Sequence, residues 1–576
     1  MTGADDLNAR ERIHMQVMWN RLIAVVEEQA QSLLRTAFGS VAREAGDLSA
    51  GVYNVEGRML AQAVTGTPGH VNTMAVAVRH FLERFPLAEM REGDVFTTND
   101  PWMGTGHLFD FVVVTPAFRR GDPVALFAST CHLVDVGGLG FAADARTVFE
   151  EGIQVPHMKL VDRGRLNETL MGVIQANVRE PVEVQGDLLA LVSCNEVGCA
   201  RLVDMMDEFG LTSIDRLAAH IIEHSRAATL EAIRRLPAGT YTHEMTLDGY
   251  ENEIRLVATM DVGEDGIHVD YDGSSPASDH GINSPKCYTD AYTVFGLKCI
   301  AAPAIPNNAG SLAPFTVSAP DDSIVDPRRP RAVTARHVIG QMLPELVFGC
   351  LHQAVVGGVP AEGAGSIWVL AMSGAAGGGV RPFNTMSVSV GGTGARPTRD
   401  GLSMTAFPSG VGAIPVEVTE ATAPLLFRRR ELRPDSGGAG RHRGGLGSVV
   451  EIESRSGAAF NISAGTFDRR RYAARGRDGG ESGAKGRCRL ESGRELASKA
   501  IHTVPAGDRL IVELPGGGGF GEPFERDPEL VAREVRDGLL TPEAARSVYG
   551  VAASAEGALD PRGTRRLRTR SNRSQD

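Results

Sequence analysis

A chain of 576 residues is too long to fold around one hydrophobic core, so roughly two to four domains are expected. Its formal charge of −12, with 42% apolar and 23% charged residues, is an ordinary globular composition. It argues against a general nucleic-acid binder, which needs clustered positive charge facing phosphates.

The opening stretch "MTGADDLNARERIHMQ" is charged and lacks an apolar core, so it reads as no signal peptide. No run of about 18 or more apolar residues follows, so no membrane span is expected. Cys131, Cys194, Cys199, Cys287, Cys299, Cys350 and Cys488 are odd in number and form no C-x-x-C pair. Reduced thiols in a cytoplasm are the plain reading. Glycine, at 68 residues, predicts many tight turns and a β-rich fold.

In chain order, residues 12–45 carry apolar side chains at helical spacing and predict one or two amphipathic helices. "GVYNVEGRMLAQA" predicts a β-hairpin, 73–86 a helix, and 94–160 a strand–turn–strand region. From "LNETL" the pattern is helical until "RRLPAGTY" stops it, and a domain boundary is expected near 236. Antiparallel strands follow, then a helix over "SPKCYTDAYTVFGLKCIAA" and a loop at Pro306, Asn307, Asn308 and Gly310. Residues 365–560 read as a Gly-rich β domain closed by the amphipathic pair "DPELVAREVRDGLLTPEAARSVYGV". The basic tail 561–576 is expected to be disordered. The class is α+β and multi-domain: an N-terminal α+β domain to 236, a central strand/helix region to 364, and the Gly-rich domain beyond.

Two His-x-x-Asp phrases stand 25 residues apart, His107 with Asp110 and His132 with Asp135. Between them "FVVVTPAF" and "VALFAST" form strands joined by "RRGDP". A turn symmetric about Gly121 pairs residue i with residue 242 − i, so Asp110 should face His132, with Cβ atoms about 4.5–5.5 Å apart. His107 and Asp135 then lie just beyond the strand ends. Two imidazoles and two carboxylates at one hairpin end suit a divalent ion of Zn, Mn or Fe type, which can polarise an amide carbonyl or activate water. The alternative is a strand-end histidine beside turn-forming aspartates. Asp47, in "REAGDLSAG", reads by itself as a turn or capping residue. His70, in "TGTPGHVNTM", is a neighbour of a helix cap or an inward-facing ligand, and Asp100 of "NDP" needs to be no more than a turn former.

Other motifs fail. "LPGGGGFGEP" satisfies G-x-G-x-x-G, but too little chain follows for the parallel strand and acid of a dinucleotide site. No G-x-x-x-x-G-K-[ST] and no G-x-S-x-G occur. The basic, Gly-rich stretch 428–447 is a structural loop before it is an anion cradle.

"NDPWMGTGH", "EGIQVPHMKLVDRGRLNETL", "INSPKCYTDAYTVFGLKCIAAPAIPNNAGSLAPFTV", "ELRPDSGGAGRHRGGLGSV" and "GGGGFGEPFERDPELVAREVRDGLLTPEAARSVYGV" together resemble the hydantoinase B/oxoprolinase family, in order across 13–552. The resemblance implies the B-type component of an ATP-dependent amidohydrolase opening a cyclic amide of hydantoin, 5-oxoproline or lactam type. ATP would be bound by a separate hydantoinase A/oxoprolinase-type ATPase subunit of a hetero-oligomer, and the B-type component would complete hydrolysis at a metal. An α-type subunit of a ketone carboxylase and a non-catalytic scaffold are the other readings. Carried over by position, the family's His/Asp cluster falls on Asp47, His107, Asp110, His132 and Asp135. The segment 404–418 departs from the family's Asn-Thr-x-Asn-Thr-Pro pattern, which leaves substrate identity open.

Overall fold

The computed structural model describes residues 8–64, 66–365, 367–374 and 382–572. The start of the opening stretch, part of the Gly-rich region and the last four residues of the tail lie outside these. The fold is α+β, and the chain divides into two compact units. One comprises Met1–Glu244, Leu256–Cys350 and Ser409–Ile414, and the other Met245–Arg255, Leu351–Pro408 and Pro415–Asp576. The expected boundaries at 236 and 364 do not coincide with this division, because short segments at 245–255 and 409–414 each belong to the unit that flanking sequence would not assign them to.

The first unit is built on a seven-stranded sheet, β1 (Leu48–Tyr53), β2 (Met59–Gln62), β3 (Val95–Thr98), β4 (Asp110–Arg119), β5 (Asp122–His132), β6 (Met158–Asp162) and β7 (Arg165–Leu166), in the order β2-β1-β5-β4-β3-β6-β7. Phe111, Val113, Phe127 and Cys131 point to one face, where they pack with the helices Ala9–Thr36 and Pro181–Glu208. Val112, Val114, Leu126 and Ala128 point to the other, under the helix Pro68–Arg84. Period-two alternation with both faces covered explains the continuous apolar runs. Each fully buried Phe or Val of this kind contributes roughly 1.5–3 kcal/mol.

The helices start where their sequences say. Asn8 and Glu11 form a reciprocal capping box ahead of Ala9–Thr36. Thr67 and Pro68 open Pro68–Arg84, whose buried His70, Val71, Met74, Ala77, Val78 and Phe81 recur every three or four residues. It stops at Phe85, which is extended before Pro86. A second sheet, β8 (Gly239–Leu247), β9 (Ile254–Gly263), β10 (Gly266–Asp270) and β11 (Phe315–Ser318), runs β11-β10-β9-β8, and the helix Lys286–Ala301 packs on Pro68–Arg84.

The second unit holds two four-stranded sheets, ordered β13-β12-β16-β18 and β14-β15-β19-β17. Their strands are β12 (Trp368–Gly374), β13 (Phe383–Ser389), β14 (Leu425–Leu432), β15 (Ser448–Ser454), β16 (Phe460–Ser463), β17 (Arg487–Leu490), β18 (Ile501–Val504) and β19 (Arg509–Glu513). Trp368 stacks on Phe467 at 4.4 Å in the shared core. The tetraglycine Gly516–Gly519 is a crossing segment rather than a phosphate loop: its four N–H groups donate to the carbonyls of Ala484, Gly445, Glu362 and Glu481. The tail corrects the expectation of disorder. Pro561–Asn572 is a helix, tied down by Arg568, whose guanidinium donates to the carbonyls of Tyr549 and Arg526. None of the seven cysteines forms a disulfide. Among the described residues no helix is long and apolar enough to cross a membrane.

Candidate metal centre

The hairpin brings Asp110 opposite His132, by a route the symmetric-turn argument did not contain. The turn is the two-residue pair Arg120–Gly121, both with positive φ (55° and 90°), a conformation that suits glycine and the twist of the strands. It pairs Arg119 with Asp122 and Phe118 with Pro123. A bulge between Ala117 and Phe118 then adds one residue, and the pairing becomes 242 − i from Ala117 back to Asp110.

Alternation does the rest. Asp110 shares a face with Val112 and Val114, and His132 shares it with Ala128 and Leu126, so both reach toward the helix Pro68–Arg84. That helix supplies His70 from its first turn, and His70 Nε2 lies 2.8 Å from Asp110 Oδ2. His107 returns to the same point, with Nε2 2.9 Å from Asp110 Oδ1, and His132 Nδ1 is 3.2 Å from that oxygen. Donor atoms of His107, Asp110 and His132 all lie within 4.8 Å of one another, in a buried site. β1 pairs with β5 so that the His132 N–H donates to the Asp47 carbonyl, and the Asp47 carboxylate sits 3.5 Å from His70 Nδ1 and 4.0 Å from His132 Nδ1.

Asp135 does not join them. Its carboxylate accepts from the Gly137 N–H at 3.0 Å, from the Arg179 guanidinium at 2.8 Å and from the Arg179 backbone N–H. The three residues beyond β5 form a turn that carries Asp135 away toward Arg179. Asp100 is a turn residue as expected, accepting from the Trp102 N–H at 3.0 Å and pairing with Arg329.

Sequence reasoning missed the groups that hold Asp110. Arg336 is buried, donates to Asp110 Oδ2 at 2.5 Å and to the Thr105 carbonyl at 2.8 Å, and stacks over Tyr288 at 4.1 Å. Gly106, at φ +97°, allows this approach, since a Cβ there would fall 2.6 Å from Arg336 Cδ. Glu151 is fully buried, and one of its oxygens accepts the N–H groups of Val333 and Thr334 at 2.6 Å each. The Thr334 carbonyl in turn faces His107 Nδ1 at 2.9 Å. One buried carboxylate thus organises the turn that orients His107 and carries Arg336. No motif marks residues more than 180 positions away. For His70, the parity of Asp110 and His132 with the apolar face was the available signal.

The electrostatics single out one point. A carbonyl only accepts, so the proton of His107 sits on Nδ1 and Nε2 presents a lone pair. Burial, then the Arg336 guanidinium, pushes the His107 pKa down to about 3, so the ring is neutral. Burial works to raise the Asp110 carboxyl, but the cationic groups around it, His70 and Arg336 among them, outweigh it and hold the group well below the usual carboxylate range. For His70, burial acts downward and the Asp110 and Asp47 carboxylates lift it overall. A lone pair and a carboxylate oxygen therefore stand 2.9 Å apart, and neither atom has a hydrogen-bond partner; buried His132 Nε2 lacks one as well. Two facing acceptors in a buried site could hold a cation between them. Donors held about 2.0–2.2 Å from one first-row ion stand about 3 Å apart, which matches the spacing here. The donor set of two imidazoles and one carboxylate fits such an ion, and Phe109 stacks on His132 at 5.3 Å while Phe141 meets it edge-on.

Comparison with known proteins places these features in context. The family described as hydantoinase B/oxoprolinase matches residues 11–523. A protein of Pseudomonas sp. (strain NS671), provisionally named as the B-type component of a D-/L-hydantoinase, is 28% identical over 98% of this chain and 99% of its own length. The crystal structure of an ATP-dependent caprolactamase from Pseudomonas jessenii matches with a TM-score of 0.86 at 25% identity, over 98% of this chain and all of that one. A nucleotide-free acetone carboxylase shares the fold, with a TM-score of 0.87 at 20% identity over 98% of this chain and 83% of that one.

Proposed function

The chain belongs to the hydantoinase B/oxoprolinase family, and from that premise we propose that it is the metal-dependent subunit of an ATP-dependent hydrolase that opens a cyclic amide. The observation that carries this reading is the lone pair of His107 Nε2 set against the ionised Asp110 Oδ1, both buried and otherwise unpartnered. His107, Asp110 and His132 would hold a divalent ion of Zn, Mn or Fe type, which supplies polarisation of a carbonyl or a water of lowered pKa when bound.

The other residues prepare that chemistry. His70 and Arg336 both engage Asp110 Oδ2, which leaves Oδ1 directed at the two imidazoles. Asp110 and Asp47 supply the two carboxylates of the pocket, and Arg336 and His70 face them. Phe109 and Phe141 form an apolar wall that keeps water from one side of His132.

The nucleotide chemistry belongs to a partner. The chain carries no P-loop sequence, its Pseudomonas sp. relative is named as one component of a larger enzyme, and the caprolactamase is described as ATP-dependent. These support a hetero-oligomer in which an A-type ATPase subunit phosphorylates the amide and this chain completes its hydrolysis. Seven cysteines without a disulfide support the cytoplasm as its compartment. Hydantoins, 5-oxoproline and lactams are the substrate classes to test.

Co-purified with an A-type ATPase, the chain should hydrolyse one of these in an ATP-dependent reaction and contain metal by elemental analysis. The variant His132→Ala should lose both. Full metal occupancy in that variant would sink the site, and turnover of a ketone that requires bicarbonate would replace the hydrolase with a carboxylase.

A further inference from the structure

The second unit contains a cavity of about 330 Å³ that the proposed hydrolysis does not use. Four of its lining side chains, Arg469, Arg471, Arg475 and Lys485, are cations, and none of the lining residues is a carboxylate. Tyr472 and Ser482 add hydroxyls to the wall. Arg469 is 2% exposed and holds φ at +60°, a left-handed conformation that a side-chain-bearing residue adopts at a cost.

Carboxylates close by engage part of this set and leave two of its cations without an ion pair. Glu362 accepts from Arg469 Nη1 at 3.2 Å and from Arg475 Nε at 2.6 Å. Asp248 is engaged by the backbone N–H groups of Arg470 and Arg471, and Glu253 accepts from the Tyr472 hydroxyl. Arg471 and Lys485 have no ion-pair partner among the described residues. The buried Nε–H of Arg469 has no acceptor at all. An unanswered donor on a buried arginine, in a cavity lined by two further cations that have no ion pair, is the signature of a missing anion.

Guanidinium forks match the paired oxygens of phosphate, and several cations converging on one space favour a dianion over a single carboxylate. The volume is near the lower end of small-molecule pockets, about 300–1,000 Å³, and leaves room for a small organic body beside the phosphate. We propose that this cavity binds the phosphoryl group of a small phosphate monoester. The proposal is independent of the metal-centre reading.

The test is calorimetric titration of the full chain, at physiological salt, with glycerol phosphate, inorganic phosphate and succinate. Glycerol phosphate should bind saturably, inorganic phosphate more weakly, and succinate at least tenfold more weakly than the monoester. Arg471→Ala combined with Lys485→Ala, both at exposed positions, should weaken monoester binding at least tenfold while the melting temperature is kept. Absence of saturable phosphate binding, equal binding of succinate, or unchanged binding in the double variant would each overturn the site. Inorganic phosphate binding as tightly as the monoester would overturn the organic part of the ligand. Binding should persist in His132→Ala; its loss there would move the phosphate to the metal centre and overturn this assignment.

Discussion

The same four-residue phrase meets two fates in one hairpin. In the first copy His107 precedes β4 and Asp110 is its first residue; in the second, His132 is the last residue of β5 and Asp135 lies beyond it. The inner members, Asp110 and His132, are fixed by cross-strand pairing. The outer members answer to their own loops: Gly106 and the Thr334 carbonyl bring His107 back, while Gly137 and Arg179 hold Asp135 elsewhere. Sheet register thus determines half of such a site, and the remainder depends on what claims each loop residue. The largest break in this comparison comes from the inner pair and His107. Replacing His132 or His107 with alanine should remove bound metal and reduce turnover by more than the roughly 10–100-fold that outer partners cost. Retained metal would mean that the cluster is only a hydrogen-bond network.

A buried carboxylate outside the hairpin should have the next effect. Burial raises the pKa of Glu151 from 4.5 to about 7. Between those values the folded chain keeps a proton that the unfolded chain has released, so stability falls as pH rises from about 4.5 to 7 and then levels off. The span corresponds to about 3 kcal/mol. Denaturant unfolding of the wild type and of Glu151→Gln at pH 5 and pH 8 isolates this contribution, because other groups cancel. The variant should lose that part of the pH dependence; parallel profiles would show that Glu151 ionises normally.

Much of this was legible in the residues and some was not. The hairpin, the helix Pro68–Arg84 and the opposition of Asp110 and His132 follow from alternation, caps and turn chemistry, all local signals. The register even survived a wrong premise, since the bulge at Ala117/Phe118 restored the residue that the two-residue turn removed. Arg336, Thr334 and Glu151 reach the site through tertiary packing, which leaves no periodic trace. The tail helix was missed because its polar composition hides the contacts of Arg568. Segment 404–418, where the family pattern breaks, sends Gly412 to donate to the Ala45 carbonyl at 2.7 Å, two residues before Asp47. That contact depends on a stretch more than 360 positions away and was not foreseeable.

A gentler break replaces His70 with asparagine. It removes a ring from Asp110 Oδ2 but leaves Arg336 on the same oxygen. Metal affinity should fall about 10–100-fold with the metal still bindable at saturation, the usual cost of losing a group that orients a ligand. A competition titration with a chelator reads this directly. Complete loss of binding would promote His70 to a ligand, and no change would leave Arg336 as the sole anchor of Asp110.

The smallest expected effect sharpens the comparison most. Asp135 carries the motif of a ligand without the position of one. In Asp135→Asn one oxygen can still accept a backbone N–H, but the charge that faces Arg179 is gone and an amide N–H₂ is turned toward donors. Arg179 is half exposed, so water recovers part of the lost attraction. The cost should therefore come mainly from the impaired turn hydrogen bonds, about 1–2 kcal/mol by denaturant unfolding. Metal stoichiometry and chelator competition should match the wild type. A fall in metal affinity comparable to that of His70→Asn would mean that the turn after β5 positions His132, and that the second phrase acts on the site through its backbone.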